Sequence, residues 1–334
     1  MKKIAIIGGG SWGTALAIVL PRSRQPHRLS LWVHEKDICE SLCTRRVNLV
    51  FLPGFEVPRE VEVTNDLGEA LREAEIVVGV MPSAHARAMY TEMLPSLEPH
   101  MAFVSATKGL EHDTLYRITE VIQQVVSPRF PPRVAALSGP SFAREVARGD
   151  PTAVVIASPD AQLTQMIQGE FSGPTFRLYT NDDLIGVEIG GAVKNVIAIA
   201  AGVCEGLGFG SNTIAALITR GLAEITRLAC ALGACRETLA GLAGLGDLVL
   251  TCTGALSRNR TVGVELGKGR KLSDIIGPMR MVAEGVGTTA ATLQLARKLD
   301  VEVPITEQMY ALLYEGRSPR DAIRELMERR LKHE

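Results

Sequence analysis

Aromatic residues are scarce in this chain: Phe, Trp and Tyr together make up 4% of its 334 residues. The core must therefore be packed from aliphatic side chains. Charge of one sign is missing too. With 36 Lys and Arg against 37 Asp and Glu, the formal net charge is −1, which gives no general pull toward nucleic acid or an anionic membrane; recognition of charge has to be local. Paired cysteine motifs are lacking. The six cysteines, at 39, 43, 204, 230, 235 and 252, form no CxxC and have no histidines at zinc-site distances, so reduced thiols in a cytoplasmic protein are expected. Long hydrophobic runs are also absent. The apolar run at 4–7 breaks into glycines, unlike the core of a signal peptide. The most membrane-like window, 185–204, contains Glu188, Lys194 and Asn195, which argues against a spanning helix. Repeats, low-complexity tracts, long charge runs and a flexible linker are all missing.

What is present is ordinary in amount and unusual in placement. Hydrophobic residues at 46% and charged residues at 22% suit a soluble globular protein and exclude disorder, collagen and coiled coil. At about 150 residues per domain, the length predicts two domains. Glycine is plentiful, with 32 residues, so the backbone turns sharply or approaches something closely in many places.

The first half alternates short runs rich in Val, Ile and Ala (4–7, 29–33, 76–81, 102–107, 134–138 and 152–157) with helix-like segments at 14–20, 84–94 and 114–125. Continuous apolar runs suit strands buried on both faces of a parallel sheet, and the alternation predicts a doubly wound α/β unit. From about residue 183 the pattern is helical throughout, at 184–204, 213–232, 257–267, 284–299, 304–314 and 319–331. The expected organisation is α/β: a Rossmann-like dinucleotide-binding domain over 1–182 and an all-helical substrate-binding and catalytic domain over 183–334.

Gly8-Gly9-Gly10-Ser11-Trp12-Gly13 reads GxGxxG between a strand and a helix. In that setting Gly8 permits a tight turn, Gly10 lets a pyrophosphate approach, and Gly13 lets helix pack on strand. The helix start supplies free amides and the positive end of a dipole. At the end of the second strand, where an acid commonly holds the ribose of NAD, stands His34, followed by Glu35. His34 can accommodate a 2′-phosphate, stack on adenine, or simply be a surface residue. The cofactor is therefore NADP or NAD, with the imidazole leaning toward NADPH.

Polar groups inside apolar helices mark the second half. Lys194 and Asn195 are surrounded by Ile, Val, Ala and Gly in 186–201. A helix apolar all round is buried, and a buried ammonium is pushed toward neutrality, as a general acid/base needs. The competing reading is a structural lysine paired with Glu188 or Asp247. Gly190 and Gly191, one turn earlier, are expected to open space for substrate or nicotinamide. Lys108 follows the strand at 102–107, and Gly139-Pro140-Ser141 follows the one at 134–138, both at the sheet edge where open α/β folds bind ligands. Asp247 lies in a glycine-rich apolar run. Ser257-Arg258-Asn259-Arg260 opens a helix with a cap, free amides and a guanidinium, an anion site, or else a plain solvated helix start.

Together these segments resemble the bacterial type of NAD(P)-dependent glycerol-3-phosphate dehydrogenase over nearly the full length. The resemblance rests on seven ordered motifs: 8–13, Ala106-Thr107-Lys108-Gly109-Leu110-Glu111, 137–143, Gly190-Gly191-Ala192-Val193-Lys194-Asn195, 244–248, 257–260 and Val282-Ala283-Glu284-Gly285. It implies reversible reduction of dihydroxyacetone phosphate to sn-glycerol 3-phosphate, which supplies phospholipid synthesis, with Lys194 as proton donor and acceptor. It implies substrate contacts from Lys108, Gly139, Ser141, Lys194, Asp247, Ser257, Arg258 and Asn259. Cofactor contacts are implied for Ser11, Trp12, His34, Lys108, Ala143, Arg258, Val282 and Glu284; Ala143, Val282 and Glu284 come from the resemblance alone. A cytoplasmic homodimer is expected, without nucleic-acid or membrane partners. The segment 21–27 departs from the family's glycine-containing turn, and Ser141 stands where Thr is also common. Two rival readings are a β-hydroxyacid dehydrogenase of similar plan and a dinucleotide-sensing regulator that needs the glycine cradle without the buried lysine.

Overall fold

The structure, a computed structural model, describes residues 1–279 and 283–330. Ten strands occur among them: β1 (Lys2–Ile7), β2 (His27–Trp32), β3 (Val47–Asn48), β4 (Leu52–Glu56), β5 (Val61–Thr64), β6 (Ile76–Gly79), β7 (Ala102–Ser105), β8 (Arg133–Ser138), β9 (Thr152–Ala157) and β10 (Phe176–Asn181). Eight of them form one sheet in the order β10-β9-β8-β7-β6-β1-β2-β5, while β3 and β4 make a separate antiparallel hairpin. From β5 to β8 the strands run parallel, which is the doubly wound Rossmann order. Ile4 lies between Leu29 and Ile76 in register.

The helices of this half are α1 (Ser11–Val19), α2 (Lys36–Arg45), α3 (Leu67–Leu71), α4 (Ala86–Met93), α5 (Ile118–Val126), α6 (Ala143–Arg148) and α7 (Ala161–Phe171). Both faces of the sheet are covered. Leu16, Ile38, Val146 and Ile167 close one core over Ile4, Leu29 and Val104. Tyr90, Leu71 and Ile122 close the other over Ala5, Val77 and Phe103. Aliphatic residues fill most of this space, as a chain poor in rings requires.

Three features depart from the sequence expectations. Strands β5 and β10 were not expected, because edge strands are wetted on one side and lack a continuous apolar run; β10 alternates buried and exposed positions. Strand β9 pairs antiparallel with β8, and β10 runs parallel to β9. An apolar run reads the same in either direction, so the reversal is invisible locally. The helix expected over 114–125 begins only at Ile118, because Leu115 is left-handed (φ 65°) and Leu110 bridges Arg117.

The second half contains helices and no strand among the described residues: α8 (Leu184–Gly206), α9 (Ser211–Ala231), α10 (Arg236–Leu239), α11 (Asp247–Thr253), α12 (Arg258–Gly267), α13 (Leu272–Ile276), α14 (Glu284–Lys298), α15 (Pro304–Tyr314) and α16 (Pro319–Met327). The expected helix at 319–331 thus stops at 327, and residue 331 lies outside the described residues. Helix α8 is long and apolar enough to cross a bilayer by composition, yet 89% of its most apolar window is buried within the fold. It is the axis of the helical core. Ile189, Val193, Val196, Ile197, Ile199 and Val203 are all fully buried on it, each worth about 1.5–3 kcal/mol. Together they outweigh the several kcal/mol that one buried ammonium costs.

Glycines set the distance between α8 and α12. A Cβ on Gly263 would overlap the Ile199 carbonyl oxygen, and one on Gly267 would sit 2.5 Å from the Val203 carbonyl oxygen. Gly202 and Gly206 face them with equally little room, against the carbonyl oxygens of Arg260 and Val264. Backbone touches backbone, and this contact places the N-terminus of α12 next to the middle of α8.

Candidate active site

Lys194 lies in the middle of α8 and is only 5% exposed. Its ammonium donates to Asp247 Oδ1 and, at 3.0 Å, to Thr251 Oγ1. Asp247, 1% exposed, opens α11 directly after a widened π-type turn over Leu242–Gly246. Its other oxygen, Oδ2, accepts from Lys108 Nζ at 2.7 Å. Two ammonium groups thus share one carboxylate, Lys108 reaching it from the sheet and Lys194 from the helical core. Glu188 is not the partner of Lys194: it accepts from Arg117 at 2.7 Å and from the Thr119 amide at 3.0 Å.

Burial draws the Lys194 ammonium down to about 7, Lys108 adds to the effect, and Asp247 opposes it. Burial alone would raise Asp247, but Lys108 and Lys194 overrule it and hold the carboxyl below its ordinary range. At neutral pH the carboxylate is ionised, and Lys194 is poised to gain or lose a proton.

The sheet edge supplies the other wall. Lys108 Nζ also donates to the Gly139 carbonyl at 2.8 Å and approaches Ser141 Oγ at 3.4 Å; the Ser141 hydroxyl donates to the same carbonyl at 2.9 Å. Gly139 has φ 131°, and a Cβ there would sit 3.0 Å from Val154 Cα, so only glycine fits this turn. Gly190 and Gly191 do not open space for a ligand as the sequence suggested. A Cβ on Gly190 would meet the Ala243 carbonyl at 2.7 Å, and one on Gly191 would meet Ser138 Oγ at 2.5 Å. These two glycines admit protein: the turn before Asp247 and the strand end before Gly139 pack against α8 through them.

At the start of α12, Ser257 Oγ accepts from the Arg260 amide at 3.2 Å as N-cap. Asn259 is turned inward, donating to Asn195 Oδ1 at 2.9 Å and accepting from the Gly285 amide at 2.9 Å. Its side chain joins α8, α12 and α14 and still has a second amide hydrogen to donate. Arg258 begins α12 and is exposed at the surface. Glu284, at the start of α14, crosses back to the sheet, where its carboxylate accepts from Ser83 Oγ at 2.7 Å and from the Ser83 amide at 3.3 Å. Burial pushes Glu284 above the usual carboxylate range. Val282 lies outside the described residues.

The glycine loop forms the far end of this edge. Gly8 has φ 130°, and a Cβ on it would lie 2.7 Å from the Val80 carbonyl oxygen. A Cβ on Gly13 would overlap the Gly8 carbonyl oxygen, whereas one on Gly10 would meet nothing within 4 Å. The first and third glycines are needed for packing, and the second faces open space at the start of α1, whose first turn has no side-chain cap. A dinucleotide pyrophosphate fits such a cradle. Ser11 begins α1; the ring of Trp12 packs on Phe176, and its buried indole N–H has no partner among the described residues. Ala143 begins α6. His34 is exposed, with its ring 5.7 Å from that of Trp32. Val80 and Met81, beside Gly8, lead to Lys108, because the Thr107 hydroxyl donates to the Met81 carbonyl at 2.8 Å. Cradle and Lys108 therefore lie along one sheet edge, with Lys194 facing Lys108 across Asp247 from the helical core.

Sequence models of NAD-dependent glycerol-3-phosphate dehydrogenase match the chain in both parts, the N-terminal one over 3–164 and the C-terminal one over 183–324. The chain belongs to the NAD-dependent glycerol-3-phosphate dehydrogenase family. A glycerol-3-phosphate dehydrogenase [NAD(P)+] of Koribacter versatilis is 63% identical over 98% of both chains, and one of Citrifermentans bemidjiense is 54% identical over 100% of this chain and 99% of its own. The crystal structure of glycerol-3-phosphate dehydrogenase from Coxiella burnetii superposes with a TM-score of 0.93 at 41% identity, covering 98% of this chain and 99% of that one. Full-length kinship of this kind favours a glycerol-3-phosphate dehydrogenase over a β-hydroxyacid dehydrogenase or a non-catalytic sensor.

Sequence reasoning missed Thr251 and Ser83. Thr251 carried a usable signal, standing one helical turn after Asp247. Ser83 carried none, because its partner Glu284 is 201 residues away.

Proposed function

We propose that this protein is an NAD(P)-dependent glycerol-3-phosphate dehydrogenase that reduces dihydroxyacetone phosphate reversibly to sn-glycerol 3-phosphate. The observation that carries the reading is the row Lys108–Asp247–Lys194, in which Asp247 and Lys194 are buried, beside a sheet edge that also carries the glycine cradle. When bound, the nicotinamide supplies the hydride, or takes it up in reverse.

The residues of the chain do the rest. Lys194, drawn down toward neutrality, gives a proton to the substrate oxygen during reduction and takes it back during oxidation. Asp247 aims Lys194 and keeps Lys108 beside it. Lys108, with Gly139 and Ser141 around it, puts positive charge where negative charge develops on the substrate oxygen. The start of α12 receives the substrate phosphate through first-turn amides, the Ser257 hydroxyl and the Arg258 guanidinium. Asn259 holds that turn against Asn195 and offers its remaining amide hydrogen to the substrate. Gly8, Gly10, Ser11, Trp12, Gly13 and Ala143 would hold the pyrophosphate end of the cofactor, with His34 at the adenosine end. Arg258 and Glu284 would contact the cofactor from the helical side.

In this reading residues 1–182 are the cofactor domain and 183–334 the substrate domain. NADP or NAD serves, and the exposed imidazole of His34 tilts the choice toward NADPH. A homodimer in a cytoplasmic setting is part of the same proposal, and light scattering checks the first. The decisive assay follows nicotinamide absorbance with dihydroxyacetone phosphate and with a panel of β-hydroxy acids. Preference for a hydroxy acid would overturn the assignment.

A further inference from the structure

The hairpin of β3 and β4 carries a polar side chain that the proposed reaction does not use. Asn48 is 0% exposed. Its amide nitrogen donates to the Gly9 carbonyl at 2.7 Å and to Thr14 Oγ1 at 2.9 Å, while its amide oxygen accepts from the Phe51 N–H at 2.9 Å. The Thr14 hydroxyl donates to the same Gly9 carbonyl at 3.3 Å. One buried amide therefore ties together the glycine loop, the first turn of α1 and the tip of the hairpin. Two of the segments it joins, the glycine loop and the first turn of α1, form the cradle.

The consequence follows from the planarity of the peptide. In a trans peptide the C=O and the following N–H point in opposite directions. Pulling the Gly9 carbonyl inward, onto Asn48 and Thr14, aims the Gly10 N–H outward, to the open side of the loop. Gly10 is where a side chain would meet nothing within 4 Å, so this N–H is among the donors a pyrophosphate meets first. Val33 packs closely on Gly9 as well, its Cγ1 2.7 Å from where a Cβ on Gly9 would sit.

We propose that Asn48 is a positioning residue of the dinucleotide cradle: it sets the Gly9–Gly10 peptide for the cofactor pyrophosphate and fastens the hairpin beside it. The inference rests on the dinucleotide reading of the cradle. Because NADH and NADPH share the pyrophosphate, Asn48 acts on both alike and leaves substrate recognition at α12 untouched.

The test uses Asn48→Asp, which keeps the shape and the acceptor for Phe51 but replaces both donors by an oxygen facing the Gly9 carbonyl. Binding is measured by calorimetry with ADP-ribose, which carries the pyrophosphate without the nicotinamide, and by nicotinamide fluorescence with NADH and NADPH. The expected result is a loss of about tenfold or more for all three ligands, the scale of a buried hydrogen-bond partner removed. At saturating cofactor, kcat and the KM for dihydroxyacetone phosphate stay close to wild type. Should Asn48→Asp fail to fold by circular dichroism, Thr14→Val carries the test; it removes one acceptor of Asn48 and the second donor to Gly9, and weakens ADP-ribose about threefold. Unchanged ADP-ribose affinity in a folded variant, beside normal wild-type binding, overturns this inference alone. A wild-type protein that binds none of the three ligands overturns the dinucleotide reading and this inference with it.

Discussion

Replacing Asp247 by Asn tests the charge row at the centre of the proposed mechanism. The substitution keeps the shape of the side chain and removes the one anion between two cations. Asp247 Oδ2 lies 2.7 Å from Lys108 Nζ, and Oδ1 accepts from Lys194. Two unit charges about 4 Å apart at an effective dielectric near 20 attract by about 4 kcal/mol. At about 1.4 kcal/mol per pKa unit, this sets a ceiling of about three units. Relaxation and water entry reduce it, so Lys194 should fall by about one to three units from its value of about 7. A lysine must be protonated to act as acid, so the rate of ketone reduction falls as pH rises through its pKa. In the variant this fall moves to lower pH, and at pH 7, where half of the wild-type Lys194 is protonated, reduction slows by about fivefold to five hundredfold. The assay is a pH profile of kcat in both directions, at saturating cofactor. A variant whose reduction limb coincides with that of wild type would refute the coupling between Asp247 and Lys194. The same linkage appears in stability. Lys194 has a folded value below its unfolded one, so the folded protein binds fewer protons between about pH 7 and 10.4. Its contribution is fully present above that window and is lost as pH falls through the folded value.

Three further outcomes are expected. Lys194→Ala keeps cofactor affinity, measured by fluorescence titration, while turnover falls by about a hundredfold or more; unchanged turnover removes Lys194 from the mechanism. Gly263→Ala drives a methyl into the Ile199 carbonyl oxygen, should cost about 1–3 kcal/mol in chemical denaturation, and raises the KM for dihydroxyacetone phosphate by displacing the start of α12; normal stability would mean that α8 and α12 do not need backbone contact. His34→Ala lowers the preference for NADPH over NADH in kcat/KM if the imidazole meets a 2′-phosphate, and an unaltered ratio assigns cofactor choice elsewhere.

Much of the fold was legible because its signals are local. The glycine loop at 8–13 is a run of neighbours whose φ values and close approaches are demanded within six residues, and the structure requires Gly8 and Gly13 for steric reasons. The helices of the second half follow from apolar periodicity, and α15 falls at 304–314 as expected. The burial of Lys194 could be read from the apolar residues around it on every side of one helix. Strands β5 and β10 were illegible because edge strands alternate, and β9 because a strand's own residues do not encode its direction. Gly190 and Gly191 were read as room for a ligand, since sequence shows that glycine leaves space and not what fills it.

By itself, then, the sequence determined the two-part plan, the cradle and the buried lysine, all properties of residues within a few positions of one another. Only the tertiary structure decided partners. Glu188 and Asp247 were equal candidates for Lys194 until folding gave Glu188 to Arg117 and Thr119 and placed Asp247 between Lys194 and Lys108. The same holds for Glu284 with Ser83 and for Asn48 with Gly9. The physical reason is common to all of them. Hydrogen bonds and ion pairs are decided at about 3 Å, and which distant segments come that close depends on the packing of the whole chain.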